Sequence, residues 1–244
     1  MDNSIASYVL QYAGSSLEAG LLLYLGWGRQ CKKQRAVFFG LFALLIAGAG
    51  RDYTAYQFGL RSPQYFYVYW STDYLLVISA FLLVWLFFRR ACLCEEKMWR
   101  YIRLSLGFIF FLVVGISVLS ISRNQDHLFT YFTIEFNQNL YFTCLVLNTL
   151  LYLLLQQIES TDDQLGLLVC GVGIQFAGPT ATLALLHLTS GQHFAESLAT
   201  SVMRLCTLGM LLVWAYAIVR VRESTIKVTG RRIGEPALLE VTAD

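Results

Sequence analysis

Four charged side chains lie at a similar depth inside apolar stretches of the sequence: Arg51, Asp73, Glu135 and Arg204. At 1.5 Å per residue, all four fall within about 7–12 Å of the same end of their stretches. An ionised side chain at mid-membrane costs about 2.5–3.5 kcal/mol on insertion scales, so such residues usually face neighbouring helices and have partners. We therefore expect the two cations to pair with the two anions, with both ways of pairing open.

Aromatic and amide side chains accompany these charges and suggest a binding pocket. Tyr131, Glu135 and Gln138 recur at i, i+4 and i+7, which places them on one face of a helix. The opposite half of the apolar region is mostly Leu, Phe, Val and Ile, so a cavity here would open outward, with its floor near Glu18 and Gln175. The predicted ligand-binding residues are Arg51, Tyr56, Tyr69, Trp70, Asp73, Tyr131, Glu135, Gln138 and Arg204.

Three functions are compatible with such a cluster. A ligand pocket favours a receptor-like or sensor-like protein, in which ligand binding shifts the helices and a separate partner reads the shift. Glu18 at mid-membrane and Pro179 favour a small-solute or ion transporter. Buried charges that only fix helix packing favour a structural or assembly subunit, because polar groups hold helices together in lipid. The receptor-like function is our leading hypothesis.

Several other chemistries lack the residues they need. All four lysines lie in predicted loops or in the tail, which excludes a retinal Schiff base in the last helix. The three histidines form no i, i+4 pair, so we predict no zinc hydrolase site. A haem would need paired histidines on facing helices within the bilayer, and only His187 is near that zone. No phosphate-binding loop or nucleophile elbow is present. We predict no catalytic site, metal or cofactor, and the net charge of +2 gives no reason to expect a nucleic-acid partner.

The composition indicates which elements must position these residues. Hydrophobic residues make up 57% of the chain and charged residues 14%, against about 45–50% and about 25% in soluble domains. Lipid must therefore be the main solvent, and a crossing helix needs about 20 mostly apolar residues. We predict an all-α, up-and-down bundle of seven transmembrane helices at 5–28, 36–57, 65–88, 104–122, 128–157, 165–188 and 198–220.

Basic residues determine the predicted orientation, because cytoplasmic loops are rich in Lys and Arg. The first, third and final connections hold fourteen of the 18 basic residues, so the N-terminus is predicted outside and the C-terminus in the cytoplasm. The fifth connection is an exception, with Glu159, Asp162 and Asp163 and no basic residue. We predict a membrane domain over 1–222, a cytoplasmic tail over 223–244, and the lipid bilayer as the main partner.

An aromatic run opens the third predicted helix, and Arg51-Asp52-Tyr53 ends the second. Together, over about a fifth of the chain, these segments resemble uncharacterised seven-helix membrane proteins of soil bacteria. The resemblance implies a multi-pass protein of the bacterial inner (plasma) membrane and implies no particular activity. The residues of the third helix that carry it are Tyr65-Phe66-Tyr67-Val68-Tyr69-Trp70, followed by Asp73.

Overall fold

The computed structural model describes residues 2–27, 34–59, 62–92, 96–121, 128–158, 162–189 and 201–220. This part of the chain contains seven helices and no strand. Five helices, α2, α3, α4, α5 and α7, are long and apolar enough to cross a membrane. The chain is therefore a multi-pass helical membrane protein. The helices are α1 Asp2–Trp27, α2 Arg35–Phe58, α3 Pro63–Ala91, α4 Glu96–Ile121, α5 Leu128–Gln157, α6 Asp163–Thr189 and α7 Ser201–Arg220.

Most helix bounds lie within a few residues of the predicted spans, but α4 begins eight residues earlier than predicted, at Glu96. The prediction placed its start at the first long apolar run. The preceding residues, which include Lys97, Arg100 and Arg103, are helical as well. Hydropathy locates the part of a helix that lies in lipid, whereas the helix itself continues into the polar boundary. The start predicted for α7 at 198 and the tail 223–244 lie outside the described residues.

Local sequence signals explain where α2 ends and α3 begins. Gly59 follows α2 with φ 79°, a left-handed conformation that glycine adopts without strain. Ser62 then caps α3, because its hydroxyl accepts a hydrogen bond from the Tyr65 backbone N–H at 3.1 Å. Pro63 occupies the first turn, where its missing N–H removes no helical hydrogen bond. This short connection sets α2 and α3 side by side.

Helix α3 is the centre of the packing, since it contacts α2, α4, α5 and α6. Helix α7 reaches both α6 and α2 through Trp214, which is 1% exposed. A Cβ added at Gly171 would come within 2.8 Å of the Trp214 ring, so only glycine allows this approach of α6 to α7. On the other side, a Cβ at Gly40 of α2 would lie 3.5 Å from the same ring. The indole N–H of Trp214 donates to the Leu168 carbonyl of α6 at 3.1 Å.

The two ends of the molecule are named here by the ion pair that each contains. At the Arg51 end, α2 ends and α3 begins, and Arg51 pairs with Asp73. At the Arg90 end, α3 ends and α6 begins, and Arg90 pairs with Asp162. The buried apolar core lies between these ends, around residues such as Phe87.

Candidate functional site

The Arg51 guanidinium is the centre of a polar cluster at the Arg51 end. Its Nη2 lies 3.3 Å from Asp73 Oδ1, and its Nε donates to Thr72 Oγ1 at 2.7 Å. Its Cζ lies 4.4 Å from the centre of the Tyr69 ring, a cation–π distance. Tyr69, Thr72 and Asp73 are spaced i, i+3 and i+4 and therefore share one face of α3. The fixed fork of guanidinium donors matches that face.

The second oxygen of Asp73 connects the cluster to α5. Asn137 is 5% exposed, and its Nδ2 donates to Asp73 Oδ2. One carboxylate thus links α3 to α2 through Arg51 and to α5 through Asn137. Nearby, the rings of Tyr74 and Phe136 stack at 4.8 Å and pack α3 against α5. We call Arg51, Tyr69, Thr72, Asp73 and Asn137 the Arg51 cluster.

A central cavity lies among α2, α3, α5, α6 and α7. The volume open to the centres of water-sized molecules is about 60 Å³. The cavity is therefore large enough for a few waters or a ligand group of similar size. The cavity is lined by Gly40, Leu44, Leu76, Ser79, Ala80, Leu83, Tyr141, Val172, Gln175, Phe176, Met210 and Trp214.

The Arg51 cluster lies close to this cavity, although none of its residues lines it. Leu76 follows Asp73 by three residues on α3, and Tyr141 follows Asn137 by four on α5. The cavity therefore begins about one helical turn, about 5 Å, beneath the cluster. Any displacement of the Asp73 carboxylate changes the hydrogen bonds that link α3 to α2 and α5.

The cavity wall contains a hydrogen-bond acceptor that no described residue satisfies. Oε1 of Gln175 is buried and has no partner among the described residues. Leaving a buried acceptor unpaired costs about 1–3 kcal/mol, so a water or a ligand donor placed there would be stabilised. Gln175 thus lines the cavity, whereas Glu18, half-buried on α1, does not.

The predicted site residues on α2 and α3 have different environments. The structure pairs Arg51 with Asp73 and brings Tyr69 against Arg51, so these three lie together as expected. Trp70 is half-buried, with its ring 5.7 Å from that of Tyr69. Tyr56 is 86% exposed and faces away from the cluster. None of the described side chains among the nine predicted residues lines the central cavity.

The predicted residues on α5 and α7 lie elsewhere. The buried face of α5 carries Phe136, Asn137, Leu140 and Cys144. At 100° per residue, Glu135 and Gln138 lie on the other side of α5 from this face, and both are half-buried. The side chain of Tyr131 lies outside the described residues, and Arg204 is half-buried on α7. The expected pairing of Arg204 with Glu135 stays a prediction.

Two residues of the cluster, Thr72 and Asn137, were not among the predicted site residues. A signal for Asn137 exists in the sequence, since Asn137, Cys144 and Asn148 recur at i, i+7 and i+11, which is one helical face. All three are buried. The polar stripe through Glu135 contains a charged residue and was therefore the more conspicuous pattern on α5. For Thr72, the only signal is its position next to Asp73.

A second polar cluster lies at the Arg90 end. Arg90 Nη2 lies 2.8 Å from Asp162 Oδ2 and donates to Gln164 Oε1 at 3.1 Å. The other carboxylate oxygen, Asp162 Oδ1, accepts a hydrogen bond from the Leu165 backbone N–H at 3.2 Å and so caps α6. This cluster fastens the end of α3 to the start of α6.

Comparisons with known proteins assign neither cluster to a family. No protein-family model, no curated protein sequence and no solved structure matches the chain. Within the described ranges, no three metal-ligating side chains come together. The case for a function therefore depends on the geometry of the Arg51 cluster and the cavity beneath it.

Proposed function

We propose that this chain is a receptor-like or sensor-like protein of the inner membrane that binds a small ligand at the Arg51 end. It has seven spans, an outside N-terminus and a cytoplasmic C-terminus, so the Arg51 end faces outward. The orientation is supported by the fourteen basic residues in the connections that lie on the side of the Arg90 end.

The observation that carries the proposal is the position of the Asp73 carboxylate. It connects α3 to α2 and α5 about one helical turn from a cavity that contains Gln175 Oε1, an acceptor that no described residue satisfies. A ligand with an anionic group would compete with Asp73 for Arg51 and thereby loosen two interhelical links. The ligand then favours the helix arrangement in which Arg51 binds it, which is a population shift that a separate membrane or cytoplasmic partner reads.

The cavity volume limits the ligand. About 60 Å³ fits a few heavy atoms, so only part of a larger ligand could enter the cavity. The remainder would contact the aromatic side chains around the cluster, such as Tyr69 and Trp70. A small polar metabolite with one anionic group and one hydrogen-bond donor suits Arg51 and Gln175 together.

A screen of melting temperatures against small anionic metabolites tests this proposal. We expect selective compounds to raise the melting temperature of the wild-type protein and to have no effect on Arg51→Gln. The matched control is Arg90→Gln, which breaks the comparable ion pair at the other end and should leave the ligand-induced shift intact. The proposal fails if no compound acts selectively, or if both variants respond equally.

A transport function has one observation in its favour. Asn137 Oδ1, Gln175 Oε1 and Asn148 Oδ1 are buried, have no partner among the described residues, and lie at successively greater depth from the Arg51 end. Waters bound to them would form a polar column through the bundle. Reconstituted vesicles would show proton or solute flux that Gln175→Leu abolishes, and the absence of flux in the wild-type protein would exclude this alternative.

A further inference from the structure

An apolar slot opens on the outer surface of the bundle between α3 and α4. Its volume, in the same measure as for the central cavity, is about 290 Å³ against about 60 Å³. Gly107 leaves the gap, since a Cβ added there would meet nothing within 4 Å. The lining is entirely apolar: Ile78, Phe81, Leu82, Trp85, Gly107, Phe110 and Phe111.

Aromatic contacts fix the two helices that form the slot. The rings of Phe81 and Phe110 lie 5.1 Å apart, and those of Trp85 and Trp99 lie 6.2 Å apart. The slot therefore belongs to the packed structure. Phe111, on its rim, is 74% exposed and faces the lipid.

Basic side chains continue the slot toward the Arg90 end. On α3, Arg89 follows Trp85 by four residues, and on α4, Arg103 and Arg100 precede Gly107 by four and seven. These spacings place each arginine on the same helical face as the slot. All three are exposed, and no described residue forms an ion pair with them.

The combination has the chemistry of an amphiphile site. The apolar slot suits an acyl chain, and guanidinium groups bind phosphate through paired hydrogen bonds. Glu96 lies on the same face of α4, four residues before Arg100 and seven residues, about 10 Å, before Arg103. Arg89 and Arg103 therefore lie nearer to the slot than this anion does.

We propose that this slot binds one anionic phospholipid, with an acyl chain against Gly107 and the phosphate between Arg89 and Arg103. A second copy of the chain is the less suitable occupant. A two-fold symmetric contact through this face would bring the same arginines together, and like charges repel. Basic pockets between membrane helices bind anionic headgroups for the reason argued here.

Lipid binding at the slot is separate from ligand binding at the Arg51 end. The slot lies on α3 and α4 toward the Arg90 end, and no residue of the Arg51 cluster lines it. Its role would be to hold the start of α4 against α3 in a membrane that contains acidic lipid. Failure of either proposal leaves the other intact.

Native mass spectrometry of the full chain in detergent tests the proposal, with phosphatidylglycerol and phosphatidylcholine of identical acyl chains as probes. We expect one phosphatidylglycerol to bind in preference to phosphatidylcholine. The double variant Arg89→Gln/Arg103→Gln should bind phosphatidylglycerol about thirtyfold more weakly, because each basic residue near an anionic lipid contributes about fivefold. Its affinity for phosphatidylcholine should hardly change.

A second variant fills the slot while leaving the charges in place. Gly107→Leu should weaken binding of both lipids about fifteenfold, the loss of roughly two methylene contacts at about fourfold each. Two matched controls should bind lipid as the wild type does. Gly115→Leu adds the same side chain at an α4 glycine outside the slot that also has open space around it. Arg35→Gln removes an exposed charge at the Arg90 end of α2.

Four results would overturn the proposal. The first is unchanged lipid affinity in both test variants, and the second is weaker lipid binding in the charge variant but not in Gly107→Leu. The third is inorganic phosphate that displaces phosphatidylglycerol as well as the lipid itself does. The fourth is a stable dimer in which lipid is excluded from the slot. The first two show that no combined site exists. The third reduces it to phosphate binding, and the fourth assigns the face to a second copy.

Discussion

The ion pairs at the two ends of the bundle use their carboxylates differently. At the Arg90 end, one oxygen of Asp162 accepts from Arg90 and the other caps α6. At the Arg51 end, both oxygens of Asp73 accept from side chains on other helices, Arg51 and Asn137. A carboxylate that caps a helix cannot leave without releasing the backbone N–H that it satisfies, which costs about 1 kcal/mol. Both oxygens of Asp73 accept from side chains instead, so Asp73 can exchange Arg51 or Asn137 for another partner without exposing the end of a helix.

Burial distinguishes the two carboxylates and not the two arginines. The side chains of Arg51 and Arg90 are 24% and 23% exposed, whereas Asp73 is 22% exposed and Asp162 is 38% exposed. The shorter ion-pair distance is at the Arg90 end, 2.8 Å against 3.3 Å. Solvent screens an exposed pair, so distance alone does not rank their strengths. We expect Arg51 and Asp73 to interact more strongly.

The largest effect should come from the packed region that separates the two ends. Trp214→Ala removes a side chain that is 1% exposed and should lower the free energy of unfolding by about 3–5 kcal/mol. SDS titration in mixed micelles measures this. The control Trp27→Ala removes a ring that is 91% exposed and should have little effect. Equal losses of unfolding free energy in the two variants would mean that the packing of Trp214 between α6 and α2 does not stabilise the bundle.

The next largest effect should come from the Arg51 end. Asp73→Ala leaves the Arg51 charge without its carboxylate and should cost about 2–3 kcal/mol, below the 3–5 kcal/mol of a fully buried pair because the side chains are partly exposed. Asp52→Ala is the control, since Asp52 is an exposed acid one residue after Arg51 that accepts a single hydrogen bond from Gln11. A comparable loss in both would contradict a special role for Asp73.

Capping should dominate over ion pairing at the Arg90 end. Asp162→Ala removes both interactions and should cost about 1–2 kcal/mol, whereas Asp162→Asn keeps the cap and should cost less than about 1 kcal/mol. The same unfolding assay compares the two. If Asn is as damaging as Ala, the ion pair rather than the cap holds α6, and the contrast between the two ends disappears.

The smallest effect concerns the cation–π contact of Arg51. Tyr69→Leu removes the ring 4.4 Å from the guanidinium carbon and should cost about 0.5–1 kcal/mol. Tyr69→Phe keeps the ring and should be neutral. A loss in Phe equal to that in Leu would show that the hydroxyl, rather than the ring, supports Arg51.

The all-helical class and most helix positions could be predicted because apolar length and charge are properties of single segments. The face that a helix turns to its neighbours is a property of packing. The polar stripe through Glu135 was expected to face the bundle, yet the buried face of α5 is the one with Asn137, Leu140 and Cys144. A bundle that is surrounded by lipid has apolar residues both inside and outside, so hydrophobicity does not distinguish the two faces.

The acidic fifth connection shows a similar limit. Asp162 is an acidic residue in a connection that the predicted orientation places on the cytoplasmic side, where basic residues are expected. In the structure it caps α6 and neutralises Arg90, which lies 72 residues away in the sequence. Local patterns could not reveal that pairing, because it depends on where the end of α3 meets the start of α6.

The most direct test of this account is a pair of double-mutant cycles, Arg51→Gln with Asp73→Asn and Arg90→Gln with Asp162→Asn, measured as free energies of unfolding in the same micelles. We predict a coupling of about 1–2 kcal/mol at the Arg51 end, where partial burial strengthens the pair, and no more than about 0.5 kcal/mol at the more exposed Arg90 end. Coupling near zero for Arg51 and Asp73, or the reverse order of the two ends, would contradict it.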